Sequence, residues 1–293
     1  MRRRSIPLVS ILFALTSVVH ADAAAHKPPV GDTYEITINR ESTQSGSDGS
    51  SGSSSDTDIL VERVTAVRDA GLELEYDLPK NAAAEDRANN WKFPARIFRP
   101  SNGLAQLLNA AELESRVDPW LKGAKWTRAI CGHWIFTWNA FYIDCDPQSV
   151  LPTIEAFGAG SSAIHDRDSY SDPNALTPQP VRRKSSTSTS DIFEVTLNIN
   201  PAAVHRERAE AAVAVAKISR KTLSLDAALS SADAETISGT IFIAFDTDSF
   251  GAIWRRTKVT KMIIVKPDGQ RETQTVTETL QRRLVETLTP HSR

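Results

Sequence analysis

Residues 252–265 and 270–285 are two long runs rich in threonine and β-branched apolar side chains, joined only by Pro267-Asp268-Gly269. Proline entering a turn and glycine supplying a positive φ define a three-residue hairpin loop, so the runs must pair antiparallel. With Lys266 opposite Gln270, counting back sets Lys258 against Glu278 and Trp254 beside Arg282. Cross-strand pairs of this kind contribute about 0.2–1 kcal/mol each, enough to hold a register but not to stabilise a domain. Two strands alone do not make a stable unit. A third run at 236–245 supplies the next strand. Thr273, Thr275, Thr277 and Thr279 share one face of the last strand. That row is read as an exposed face of high β-propensity rather than an array for ice or polysaccharide.

The N-terminal part repeats the pattern. Tyr34, Ile36 and Ile38 alternate with polar residues over 32–38, a strand follows at 58–67, and 72–78 has strict period two. In the last, Leu72, Leu74, Tyr76 and Leu78 face one way and Glu73, Glu75 and Asp77 the other. Adjacent carboxylates on an antiparallel strand are its solvated side, not a calcium or acid/base cluster. Residues 91–98 supply another strand.

Helical spacing links Leu104, Leu107, Leu108, Ala111 and Val117. Asp118-Pro119, Asp146-Pro147 and Asn200-Pro201 each combine an N-cap acceptor with a proline that needs no donor, and each marks a helix start. The last opens an alanine-rich helix to Lys217, with Val204, Ala211, Ala212 and Val215 on one face; a short helix covers 225–229. The fold class is therefore α+β, mainly antiparallel β-meanders forming a curved sheet or half-barrel, with a few packed helices.

Residues 1–21 have a basic start at Arg2-Arg3-Arg4, an apolar stretch and small residues at its end, the pattern of a signal peptide. Its loss would remove three arginines and move the formal charge from −2 to −5. Ser and Gly make up 11 of the 17 residues at 41–57, and Gly, Ser, Thr and Pro make up 16 of the 33 at 158–190. Neither can build a core, so 41–57 is expected as a disordered loop within a β-rich part at 22–157. Residues 158–190, with Arg182-Arg183-Lys184, are expected as a flexible linker to a C-terminal part at 191–293, a helix plus a three-stranded meander.

The 34 basic side chains face 36 acidic ones, a balance that gives no broad surface for phosphates, so no nucleic-acid partner is expected. Nothing past residue 20 approaches the roughly 18 apolar residues of a spanning helix, so the mature chain should have no integral membrane span.

Both cysteines lie in residues 130–146. A turn at Thr137-Trp138-Asn139 sets Phe136 against Ala140 and Cys131 directly against Cys145, so an exported chain should close a disulfide here. A metal site from Cys131, His133 and Cys145 with Asp144 or Asp146 is set aside because the spacing fits no zinc pattern. On this register Ile135, Phe141 and Ile143 share the cystine face, while Trp134, Phe136 and Tyr142 share the other. Apolar side chains on both faces predict a hairpin buried between layers, with Trp138 at the exposed tip. If any of this surface binds, the candidates are His133, Trp134, Phe136, Trp138 and Tyr142.

No nucleophile elbow, phosphate loop or metalloprotease motif is present. Asp246-Thr247-Asp248 begins like a calcium loop, but Phe250 stands where a ligand belongs, so it is read as a hairpin turn. No cofactor, metal or catalytic residue is assigned. The reading is an exported protein of the periplasm or extracellular space that works non-enzymatically, binding an apolar small molecule or an envelope protein between sheet and helix. The alternative is an envelope hydrolase assembled around the hairpin, with His133 beside Asp144 or Asp146. Exported antiparallel sheets that curl around a helix recur in periplasmic carriers of lipophilic molecules, an analogy of architecture alone.

Overall fold

A computed structural model describes residues 27–101, 103–136, 140–157, 163–219, 221–249 and 251–286. The signal segment at 1–21 and the Trp138 tip lie outside them. The first part contains β1 (Thr33–Gly46), β2 (Ser51–Arg68), β3 (Gly71–Asp77), a short α1 (Ala84–Ala88), β4 (Ala95–Pro100) and β5 (Gln106–Leu107). Next come α2 (Ala110–Gly123), a hairpin of β6 (Trp134–Phe136) and β7 (Ala140–Tyr142), and α3 (Val150–Ala156). Short strands β8 (Ser169–Tyr170), β9 (Gln179–Pro180) and β10 (Arg182–Ser186) precede β11 (Ser190–Asn198), α4 (Pro201–Ile218) and α5 (Leu225–Ala232). The long strands β12 (Thr236–Asp248), β13 (Ile253–Val265) and β14 (Arg271–Glu286) finish the described chain.

Ten strands form one antiparallel sheet in the order β10-β11-β12-β13-β14-β1-β2-β3-β4-β5, and it does not close into a barrel. The last strand pairs with the first, so the N- and C-terminal parts share one sheet. The β13–β14 register is the one counted from the turn: Lys266 N donates to Gln270 O at 2.9 Å, and Lys258 stands opposite Glu278.

Register also decides what each face carries. Phe193, Phe245, Arg256, Leu280 and Ile38 are successive partners across β11, β12, β13, β14 and β1, so they project from one face. On that face Ile36, Ile38, Leu60, Val64, Leu74, Tyr76 and Ile97 pack with Leu113, Val117 and Leu121 of α2 and with Val150 and Ile154 of α3. Further along the same face, Phe193, Val195, Leu197, Ile241, Ile243 and Phe245 pack with Val204 of α4 and with Ile164 and Val181. Two apolar cores thus lie on one face of one sheet. Thr273, Thr275, Thr277 and Thr279 project from the opposite face, since their neighbours Glu272, Gln274, Val276, Glu278 and Leu280 alternate with them.

The structure corrects several expectations. The serine/glycine segment is not a loose loop but the paired outer end of the β1–β2 hairpin: 41–46 pair with 272–277 of β14, and 42–45 also pair with 51–54 of β2. Composition denied it a core, but a ladder flanked on both sides satisfies the backbone without one. Residues 163–190 are not a solvated linker either. Ile164 and Val181 are buried in the second core, and the backbone crosses itself through Arg167 N to Val181 O and Val181 N to Asp168 O, each 2.9 Å. Isolated apolar residues in polar chain suffice when each enters an existing core.

Pro119 does not start a helix. It lies inside α2, whose buried Leu113, Val117 and Leu121 recur every four residues and carry the helix through a proline that costs about 3 kcal/mol. Asp118 instead pairs with Arg128 at 2.6 Å, and Leu104 lies outside the helix, exposed. The other two caps form: Asp146 accepts from Gln148 N at 2.9 Å and Asn200 from Ala202 N at 3.1 Å. Helix α4 buries Val204, Ala209 and Ala216, whereas Val215 is 61% exposed. The inner face differs from the one the sequence implies because alanine, which tolerates either side, dominates the pattern. The strand expected at 91–98 starts only at Ala95, with Trp91 and Phe93 buried ahead of it.

Candidate functional site: a cavity over a charged seam

The cysteine hairpin forms in the expected register, with Phe136 opposite Ala140 and Trp134 opposite Tyr142, and Cys131 and Cys145 are joined at a Cα separation of 5.6 Å. Among the described residues no cysteine is free. Its two faces differ. Ile143 is buried and Ile135 packs against the first core, but Trp134 is 39% exposed and Tyr142 51%, their rings meeting edge to face at 5.6 Å. Burial of both faces is therefore corrected: the first core takes the Ile135 and Ile143 side, while Trp134 and Tyr142 stay partly exposed even though α4 approaches β6. The backbone of His133 is held by Ile143 N, which donates to His133 O at 3.0 Å. Asp146 caps the following turn, and Asp144 accepts from Asp146 N at 3.0 Å while its charge acts on Lys92. Neither carboxylate is brought onto the imidazole. Among the described residues no group of three or more His, Cys, Asp and Glu side chains is placed to hold a metal ion.

The residues that sequence reasoning missed lie between the two cores. On the inner face, β13, β14 and β1 present Arg256, Lys258, Glu278, Arg40 and Arg282 rather than apolar groups. Lys258 and Glu278 are opposite each other, yet neither uses the other. Lys258 reaches Asp172 at 2.5 Å, while Glu278 accepts from Arg256 Nη2 at 2.7 Å and from Arg40 Nε at 3.3 Å. Arg282 likewise leaves Trp254, lying over the Tyr34 ring at 3.3 Å and bonding Glu62 at 2.7 Å; it is Arg255 that lies over Trp254. Backbone register was countable, but side chains this long choose partners from strands and loops that counting does not see.

Over the seam passes a strap, residues 163–181. Its ties are the Asp172–Lys258 pair, Leu176 N to Asn198 O at 2.9 Å and Asn200 N to Asn174 O at 2.7 Å. Between strap and sheet lies a cavity of about 280 Å³. Its floor is the cross-strand row Phe245, Arg256 and Leu280, and its walls include Ile164, Tyr170, Val181 and Ile253. Tyr170 meets Phe245 edge to face at 5.3 Å. Its hydroxyl makes no hydrogen bond with any described residue. Burial pushes that hydroxyl above its ordinary pKa; Arg256 pulls it down, while Asp172 and Glu278 add to the rise. Tyr170 therefore stays a protonated donor at neutral pH. Arg256 Nε is a buried donor with no hydrogen-bond partner among the described residues.

A different polar cluster lies in the first core. Glu62, 1% exposed, accepts from Tyr76 and from Arg282, with Arg99 Nη1 at 3.6 Å. Burial alone would raise its pKa, but the charges of Arg282 and Arg99 hold the carboxyl below the usual range. No cavity opens beside it among those described.

No family model matches the chain, and no curated protein matches it. Distant likeness is found to solved structures. A structure of lipovitellin, titled for its lipid–protein interactions, has a TM-score of 0.42 and 6% identity, covering 90% of this chain and 26% of that one. The chain thus spans about a quarter of that protein's length. The attachment invasion locus protein Ail of Yersinia pestis has a TM-score of 0.19 and 3% identity over 87% of this chain and 99% of its own. An outer membrane channel of Pseudomonas putida has 0.21 and 7% over 89% and 98%. All three scores lie below 0.5, so the functional argument rests on the site itself.

Proposed function

We propose that the protein is an exported, non-enzymatic binding protein whose site is the cavity between the strap and the inner face of the sheet. The observation that carries this reading is a partly open cavity of about 280 Å³ whose lining is more apolar than polar, with one guanidinium in its floor. A few polar groups in an apolar concavity is the usual composition of a small-molecule site, and the volume falls near the lower end of such pockets.

Export is supported by the basic and apolar start of the chain and by the Cys131–Cys145 bridge, which persists in oxidising compartments. No helix among the described residues is long and apolar enough to cross a membrane. In this reading the open sheet curls about the seam, with the helices of both cores and the strap on its concave side. The exposed Trp134 and Tyr142 face is the place where an envelope partner would meet the protein. The hydrolase alternative has less support, because no carboxylate among the described residues is oriented on His133.

The test is native mass spectrometry of full-length protein purified from its own envelope, beside an Ile253→Phe variant that fills the cavity. A small molecule retained by the wild type and lost from the variant is the expected result. An empty monomer with no partner would overturn the reading.

A further inference from the structure

The donors at the cavity narrow the ligand further, on the condition that the cavity is a binding site as argued above. The wall formed by Ile164, Val181, Phe245, Ile253 and Leu280 offers only contact, so recognition falls to the polar residues. Two of them offer hydrogens. Arg256 commits Nη2 to Glu278, an acceptor it shares with Arg40, and its other donors engage no described group. Tyr170, on the strap side of the cavity, carries a hydroxyl that bonds no described residue. The one lining carboxylate, Asp168, is taken up by the strap: it accepts from His165 N at 2.7 Å, stands 3.4 Å from the His165 ring and is half exposed. Arg40, the other claimant on Glu278, is also matched by Asp56 and Asp58. Glu278 thus holds the guanidinium of Arg256 through Nη2, and Arg256, 21% exposed, lines the cavity with donors that no described group takes up.

A planar guanidinium held by one carboxylate is ready for a second, because its donors are arranged as a fork that fits two oxygens. A cationic ligand would meet Arg256 as a like charge, and a purely apolar one would cover both donors without giving either an acceptor. We infer that the cavity takes a small amphipathic carboxylic acid, its carboxylate accepting from Arg256 and Tyr170 and its short apolar body lying on Phe245, Leu280 and Ile253. The volume limits that body to a short chain or a single ring rather than a long acyl tail.

Isothermal titration calorimetry of the full mature chain with octanoate, and separately with octan-1-ol, tests this on the wild type, Arg256→Gln and Tyr170→Phe. The expected result is octanoate binding that weakens roughly tenfold or more in Arg256→Gln and severalfold in Tyr170→Phe, as loss of charge-assisted hydrogen bonds requires. Octan-1-ol should bind the wild type more weakly and be indifferent to Arg256→Gln. Equal binding of acid and alcohol, both unaffected by the substitutions, would overturn the acid while leaving an apolar binding site in place. Failure of both probes, together with empty protein from the native envelope, would overturn the binding reading itself. Should Arg256→Gln lose its fold by circular dichroism, Tyr170→Phe decides alone: unchanged octanoate affinity there sinks the proposal.

Discussion

The inner face of this sheet carries two clusters of arginine, glutamate and tyrosine, and they are built to opposite ends. Around Glu62, two guanidiniums and the Tyr76 hydroxyl converge on one carboxylate within the first core. Around Glu278, one carboxylate serves Arg256 and Arg40, the nearby Tyr170 hydroxyl is unbonded, and a void lies alongside. The first arrangement is closed, with each buried group matched by another in the protein. The second is left open on the side of the cavity. What separates a structural ion cluster from a candidate site is therefore not the residue types, which are nearly the same, but whether the donors are exhausted within the chain.

The largest effect that could break this contrast is at Glu62. Glu62→Ala leaves Arg282 and Arg99 facing a buried gap and should cost about 3–5 kcal/mol in urea unfolding, whereas Glu278→Ala, at a partly exposed site, should cost about 1 kcal/mol. Similar losses at both would erase the distinction. The same carboxylate sets a pH response. Its pKa is lower folded than unfolded, so its contribution is fully present above the unfolded value of about 4.3 and is lost as pH falls through the folded value. Acid unfolding should retain less of this pH dependence in Glu62→Gln.

The two sides are also tied down differently. The hairpin is closed at its base by the Cys131–Cys145 bond, which packs against the first core, while the strap over the second is held by the Asp172–Lys258 pair and backbone bonds. Replacing both cysteines by serine should lower stability by about 3 kcal/mol, the chain-entropy value for a loop of this size. Asp172→Asn weakens an ion pair with one end partly exposed and should cost roughly 1–2 kcal/mol, with faster amide exchange in 163–181 than elsewhere. A uniform increase in exchange would show that the strap is not a separate opening unit.

Much of this fold could be read from local chemistry. The Pro267-Asp268-Gly269 turn gave the register of the last hairpin, Asp146 and Asn200 cap as their prolines imply, and the cysteine spacing placed the bridge. What escaped was long-range. That β14 pairs with β1 depends on contacts more than two hundred residues apart, and no local period encodes them. The site escaped for the same reason. Tyr170 and Asp172 lie in a stretch whose composition resembles a linker, and Arg256 and Lys258 look like the polar side of a strand until the strap is seen above them. The aromatic hairpin was the better signal in sequence, but Trp134 and Tyr142 are partly exposed and line no part of the cavity under the strap.

The smallest expected effect is the sharpest test of the contrast, because it compares one atom in two places. Tyr76→Phe removes a hydroxyl that donates to Glu62 and accepts from Arg99 inside a closed cluster, and should cost about 1–3 kcal/mol for the partners left unmatched. Tyr170→Phe removes a hydroxyl that bonds no described residue, while its ring keeps the edge-to-face contact with Phe245, so stability should change by no more than about 0.5 kcal/mol. Thermal unfolding of the two variants in ligand-free protein measures both. A hydroxyl dispensable for folding yet conspicuous in the wall of a cavity is what a ligand contact looks like before the ligand arrives. If Tyr170→Phe instead destabilised the empty protein as much as Tyr76→Phe, the hydroxyl would have a partner within the fold, and the second cluster would be closed like the first.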